Sequence, residues 1–146
     1  MGQTVTEKKT TFEDAIREKG RLVYTNVGDS MYPLIKPRDL LVITAAQTPL
    51  RRYDIPLYKR DSGQYVLHRI VKIRNGSYLI CGDNRAWVEH GIEDRHIIGL
   101  LTGIIRNGEE LPVRVTAKTR LWCASITLRK IVFRLRRIGK QRNKWR

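Results

Sequence analysis

Between residues 22 and 105 the apolar runs are short and constantly interrupted. In order they read RLVYTNV, LLVI, IPLYKR, QYVLHRIVKI, SYLICG and IIGLLTGII, punctuated by DSG, RNG, GDN and RNGEE. Runs of this length, bounded by Gly, Asn and Asp, suit strands joined by tight turns and leave little room for helices. QYVLHRIVKI followed by RNGS and YLICG reads as a β-hairpin. The chain is therefore expected to be mainly β, a body of short ribbons. At 146 residues, 41% of them apolar, it suits one domain with a modest core.

The flanks differ from this body. Thr10 or Thr11 can cap a helix over FEDAIREKG, with Phe12, Ala15 and Ile16 on one face and Gly20 as its stop. After Pro112 the apolar period becomes helical. Leu121, Ala124, Leu128, Ile131, Val132, Leu135 and Ile138 share one arc, flanked by Trp122, Ile126 and Phe133. Arg129, Lys130, Arg134, Arg136 and Arg137 fall mostly opposite. This divides the chain into residues 1–112, a β domain with an N-terminal helix, and residues 113–146, a basic amphipathic helical tail.

Charge follows the same division. The chain carries 29 Lys and Arg against 14 Asp and Glu, and 12 of those basic residues follow Glu110 with no acidic residue among them. The body is nearly balanced, and the tail calls for an anionic partner. An amphipathic arc this wide fits the surface of an anionic membrane. It is wider than a phosphate-binding arm needs, and no helix-turn-helix is legible, which argues against nucleic acid. The plainer alternative packs the apolar stripe on the body and shows the charges to water.

Cys81 and Cys123 make neither a disulfide framework nor a metal cluster, and no cofactor or metal is expected. His90 and His96, in EHGIEDRH, have no metal-ligand spacing. The N-terminal residues show no apolar secretory core. MGQTVT fits the Gly2 and Thr6 pattern of N-myristoylation. No stretch reaches the ~18 apolar residues of a membrane span. The expected location is the cytoplasm, with peripheral attachment to the inner face of the membrane through the tail.

Three segments can carry chemistry together. The first is Gly28-Asp29-Ser30-Met31-Tyr32-Pro33, the second His68-Arg69 within an apolar strand, the third Gly82-Asp83-Asn84. Each alone has an ordinary reading: a turn serine, a core histidine, a hairpin loop. In order, they resemble the serine endopeptidases that include signal peptidase I and the self-cleaving domain of LexA-type repressors. The family's Ser-Met-x-Pro is matched by Ser30, Met31 and Pro33, and its acidic residue before a strand by Asp39. Its base-then-arginine pair is matched by His68 and Arg69, and its Gly-Asp-Asn by Gly82, Asp83 and Asn84. The resemblance spans residues 24–103. Histidine stands where bacterial signal peptidases have lysine, as in the endoplasmic-reticulum and archaeal branch. Arg38 replaces the usual glycine before the acidic residue.

This resemblance implies a serine endopeptidase that takes an extended precursor or leader peptide. Ser30 would be the nucleophile and His68 its general base. A serine hydroxyl attacks well only when a neighbouring base removes its proton, and an imidazole of ordinary pKa, about 6.5, can do so at neutral pH. Asp83 is expected to orient His68, with Asp94 in reserve and Arg69 as an ion-pair partner of Asp83. Gly28, Met31 and Pro33 are expected around the oxyanion and substrate sites. The serine's own N–H would donate to the oxyanion, and Gly28 lies where some members carry a second, hydroxyl donor. Lys72 is a weaker rival base, and Trp87 a packing or substrate contact. The competing class is a non-catalytic module that keeps the fold and binds peptide, membrane or nucleic acid through its tail.

Overall fold

The computed structural model describes residues 11–142. The Gly2–Thr6 motif lies outside them, as do the side chains of Arg136, Arg137 and Ile138. The architecture is mainly β with helices at both ends. Helix α1 (Phe12–Lys19) starts at Thr11, whose hydroxyl accepts from the Asp14 N–H while the Asp14 carboxylate accepts from the Thr11 N–H, a reciprocal cap. Gly20 ends the helix in the left-handed conformation.

Among the described residues nine strands follow: β1 (Arg21–Thr25), β2 (Leu40–Thr44), β3 (Pro56–Lys59), β4 (Tyr65–Leu67), β5 (Arg69–Arg74), β6 (Ser77–Cys81), β7 (Glu89–Ile92), β8 (Ile97–Arg106) and β9 (Glu109–Pro112). The larger sheet runs β1-β2-β8-β3-β4, with β9 also paired to β8. The smaller sheet is β5-β6-β7. All pairings are antiparallel. Strand β8 is the hub: it pairs β2 along one side, and β3 and β9 along the other.

The expected hairpin forms as β5–β6, with Arg74 opposite Ser77 around the turn. The strand leading into it does not run through. Residues 65–67 belong to the larger sheet and residues 69–74 to the smaller one, so the chain changes sheets at His68. Strands β7 and β9 were not legible as apolar runs. Both are short, polar and at sheet margins.

Two apolar clusters fill the body. One joins Ile16 of α1 and Met31 and Ile35 of the following loop to Leu41, Ile43, Leu57, Leu101 and Ile104 of the larger sheet. The other lies between the sheets and contains Tyr58, Ile70, Tyr78, Ile80 and Ile92. Gly99 lets α1 approach β8, because a Cβ there would stand 2.9 Å from Ile16 Cδ1 and 2.5 Å from Ile43 Cγ2.

Helices α2 (Ala117–Ala124) and α3 (Ile126–Arg142) complete the described chain. The expected single helix is broken at Ser125. It docks on the outer side of the smaller sheet, where Cys123 and Ile126 join Val71, Cys81 and Leu79. The orientation departs from the alternative that packs the apolar stripe on the body, and from the assignment of Arg129 to the polar face. Arg129, assigned to the polar face, is 0% exposed, whereas Leu121 (72%), Leu128 (55%), Ile131 (52%) and Leu135 (62%) are exposed. The flanking residues Trp122 and Ile126 face the body instead. The docking surface has polar carbonyls to satisfy at its centre, and Arg129 satisfies them. No helix among the described residues is long and apolar enough to cross a membrane.

Candidate functional site

A groove of about 480 Å³ opens between the two edge strands of the larger sheet. Tyr24 and Thr25 of β1 line one wall, and Tyr65, Val66 and Leu67 of β4 the other. The sheet must curl for its opposite edges to share one groove. Ser30 and His68 both line it, with Arg60 and Arg85 beside them. Two residues 38 apart in sequence thus reach one site because each sits just past an edge strand.

The point of closest convergence is Gly82. A Cβ there would lie 2.7 Å from the Ser30 carbonyl oxygen and 3.2 Å from His68 Nε2. Only a residue without a side chain lets the turn at residues 82–85 pass this close. That turn holds the serine loop. The Asn84 N–H donates to the Ser30 carbonyl at 2.8 Å. Asn84 Nδ2 donates to the Asp29 carbonyl at 3.1 Å, and Arg85 Nη2 donates to Asp29 Oδ1 at 2.6 Å. No hydrogen bond joins the Ser30 hydroxyl to His68 among the described residues.

Burial is the main influence on His68 and lowers its pKa to about 4, because the protonated ring would lose solvation. The charge of Glu89 pulls it back upward, Arg60 and Arg85 push it down, and Asp83 raises it least. The ring is therefore neutral throughout the physiological range.

Asp83 does not take the place expected for it. Its carboxylate is buried against Arg69, which donates Nε to Oδ1 at 2.9 Å and Nη2 to Oδ2 at 2.8 Å. Both oxygens face the guanidinium, and no hydrogen bond links Asp83 to His68 among the described residues. Arg69 also donates Nη1 to the Tyr53 carbonyl at 3.0 Å. The pair tethers the 82–85 turn to β5 and to the loop between β2 and β3. Asp94 accepts from the Tyr78 hydroxyl and lies away from the groove.

The carboxylate with the strongest charge influence on His68 is Glu89, which sequence reading passed over. Arg60 donates to both of its oxygens at 2.6 Å, and the Tyr58 hydroxyl donates to Oε2 at 2.7 Å. The interplay of Glu89, Arg60 and Arg85 leaves no mark in local sequence, because they come from three elements.

The remaining candidates separate. Met31 is buried in the core, so its side chain serves packing rather than substrate. Pro33 is exposed and lies outside the groove lining. Gly28, also outside that lining, has φ 115° and accepts at its carbonyl from Asn26 Nδ2 at 2.8 Å. Asp39 is bound by Arg106, at 2.9 Å from Nε and 2.6 Å from Nη2, and that hydrogen bonding holds its carboxyl below the ordinary range. Arg38 keeps the conformation that glycine would favour, with φ 72°. Lys72 and His90 are exposed, and Trp87 is 79% exposed. His96 is buried and accepts at Nδ1 from the Glu93 N–H at 2.9 Å, a structural role. Burial raises the pKa of both Cys81 and Cys123. Compared with known proteins, the chain matches no family model and no curated sequence.

Proposed function

We propose that the chain is a serine endopeptidase of the signal-peptidase type, with Ser30 as nucleophile and His68 as general base. The observation that carries this reading is that Ser30 and a neutral His68 line one groove bounded by two strand edges, with Gly82 packed close to both. An extended peptide would enter by adding a strand to such an edge, its main chain providing affinity and its side chains selectivity. With water displaced, His68 takes the Ser30 proton as the hydroxyl attacks the scissile carbonyl, then returns it to the leaving amine. The developing oxyanion faces the Ser30 N–H. Glu89 supports the imidazolium through its charge.

The same reading places the enzyme against an anionic membrane surface. It is supported by the outward Leu121, Leu128, Ile131 and Leu135, set among exposed Arg120, Lys130 and Arg134. Apolar insertion adds to attraction of about 1 kcal/mol per basic residue near an anionic leaflet.

The test is cleavage of quenched fluorescent peptides with small residues before the scissile bond. Ser30→Ala and His68→Ala are each expected to remove measurable turnover. Wild-type activity should persist as pH falls from neutral and decline only as it passes through about 4, where His68 protonates. An acid limb at the ordinary histidine value of about 6.5 would contradict the buried neutral base. Turnover unaffected by Ser30→Ala would reject the reading and favour a binding module.

A further inference from the structure

The turn at residues 82–85 has two faces. Toward the groove it touches Ser30 and His68 and hydrogen-bonds the serine loop. Toward the opposite side it meets the C-terminal helices. The Trp122 indole Nε1 donates to the Asp83 carbonyl at 2.8 Å. Arg129 donates Nη1 to the carbonyls of Gly82, at 3.3 Å, and Arg85, at 3.5 Å. Its Nε donates to the Trp122 carbonyl at 3.1 Å, which the helix break at Ser125 leaves available. The guanidinium stacks 4.6 Å from the Trp122 ring and rests on the sulfurs of Cys81 and Cys123, at 3.4 and 3.9 Å.

A guanidinium that is 0% exposed is expensive to bury, and such groups normally face a carboxylate. The recorded partners of Arg129 are instead carbonyls, sulfurs and a ring. An apolar side chain could dock the helix without that cost. What Arg129 adds is a planar donor group whose Nη1 reaches two carbonyls of one turn while its Nε is held by the Trp122 carbonyl. Together with Trp122 it occupies the carbonyls of Gly82, Asp83 and Arg85, while the N–H of Asn84 holds Ser30.

We propose that Arg129, assisted by Trp122, is a positioning residue: it clamps the 82–85 turn from behind, and through that turn it fixes the backbone of Ser30. The clamp itself is a statement about structure. Only its kinetic consequence rests on the endopeptidase reading.

The test uses the full chain carrying Arg129→Met, Arg129→Lys or Trp122→Phe, with Arg74→Met at the exposed end of β5 as control. One readout is amide hydrogen exchange at Asn84 and along β2 and β8. The other is steady-state cleavage of an alanine-containing quenched fluorescent peptide. Arg129→Met is expected to speed exchange at Asn84 about tenfold or more while β2 and β8 stay protected. It should lower kcat by about tenfold, with KM changed less than about twofold, since the groove walls lie on other elements. Arg129→Lys, keeping charge without the fork, should recover part of both. Trp122→Phe removes a single donor and gives the same signature at smaller amplitude, which keeps the test decisive where Arg129→Met does not fold. Arg74→Met should match wild type. Unchanged exchange at Asn84, or a loss spread equally over β2 and β8, overturns the clamp. A wild-type chain that cleaves no peptide counts against the endopeptidase reading, and exchange at Asn84 still decides the clamp.

Discussion

The β body and the C-terminal helices obey opposite rules. In the body, most apolar strand residues turn inward and buried charges are matched by opposite ones: Arg69 with Asp83, and Arg106 with Asp39. In α3 the leucines turn outward and the arginine turns inward, where no carboxylate meets it among its recorded contacts. The difference teaches that an amphipathic pattern states that a helix has two faces, not which of them the body receives. That choice belongs to the receiving surface. Here the receiving surface presents the carbonyls of Gly82, Asp83 and Arg85, and a donor-rich side chain takes the inner place.

The sharpest way to test the contrast is through its charges. Arg69→Ala strands a buried Asp83 and is expected to cost about 3–5 kcal/mol in urea unfolding. The exposed Arg134→Ala should stay within about 0.5 kcal/mol. Similar losses at the two positions would erase the distinction between a paired body and a solvated helix.

Gly82→Ala tests the hinge between the regions. The added methyl would meet the Ser30 carbonyl at 2.7 Å. Backbone cannot yield as a flexible side chain does, so a loss of about 1–3 kcal/mol is expected, with turnover falling further than stability alone explains. Calorimetry together with peptide cleavage separates the two effects. Unchanged turnover would mean that the turn does not set the geometry of Ser30.

The smallest change in stability is expected on the outer arc. Leu128→Ser combined with Ile131→Ser should leave the unfolding midpoint nearly unchanged, within about 0.5 kcal/mol. It should nonetheless reduce co-sedimentation with anionic vesicles, and high salt should reduce it further. Destabilisation by several kcal/mol would place these residues in a core. Equal binding to neutral vesicles would remove the role assigned to the basic residues.

Much of the body was legible because its signals are local. The cap at Thr11, the stop at Gly20 and the RNG turn of the β5–β6 hairpin each depend on a few adjacent residues. The candidate pair Ser30 and His68 was legible from motif order, and the Arg69–Asp83 pairing from the same comparison. The acceptor assigned to His68 was not. Asp83 is close in motif order, yet both its oxygens are committed to Arg69, whereas Glu89 acts on the imidazole from a strand without an apolar signature.

The sequence by itself determined the strand-rich body, the helical periods at both ends and the concentration of positive charge after Glu110, since periodicity, turn chemistry and composition are carried by neighbouring residues. Tertiary structure alone decided the change of sheets at His68, the curl that brings two strand edges to one groove, and the inward turn of Arg129. Those outcomes depend on which distant carbonyls and carboxylates remain to be satisfied once the sheets have packed, and no local pattern holds that information.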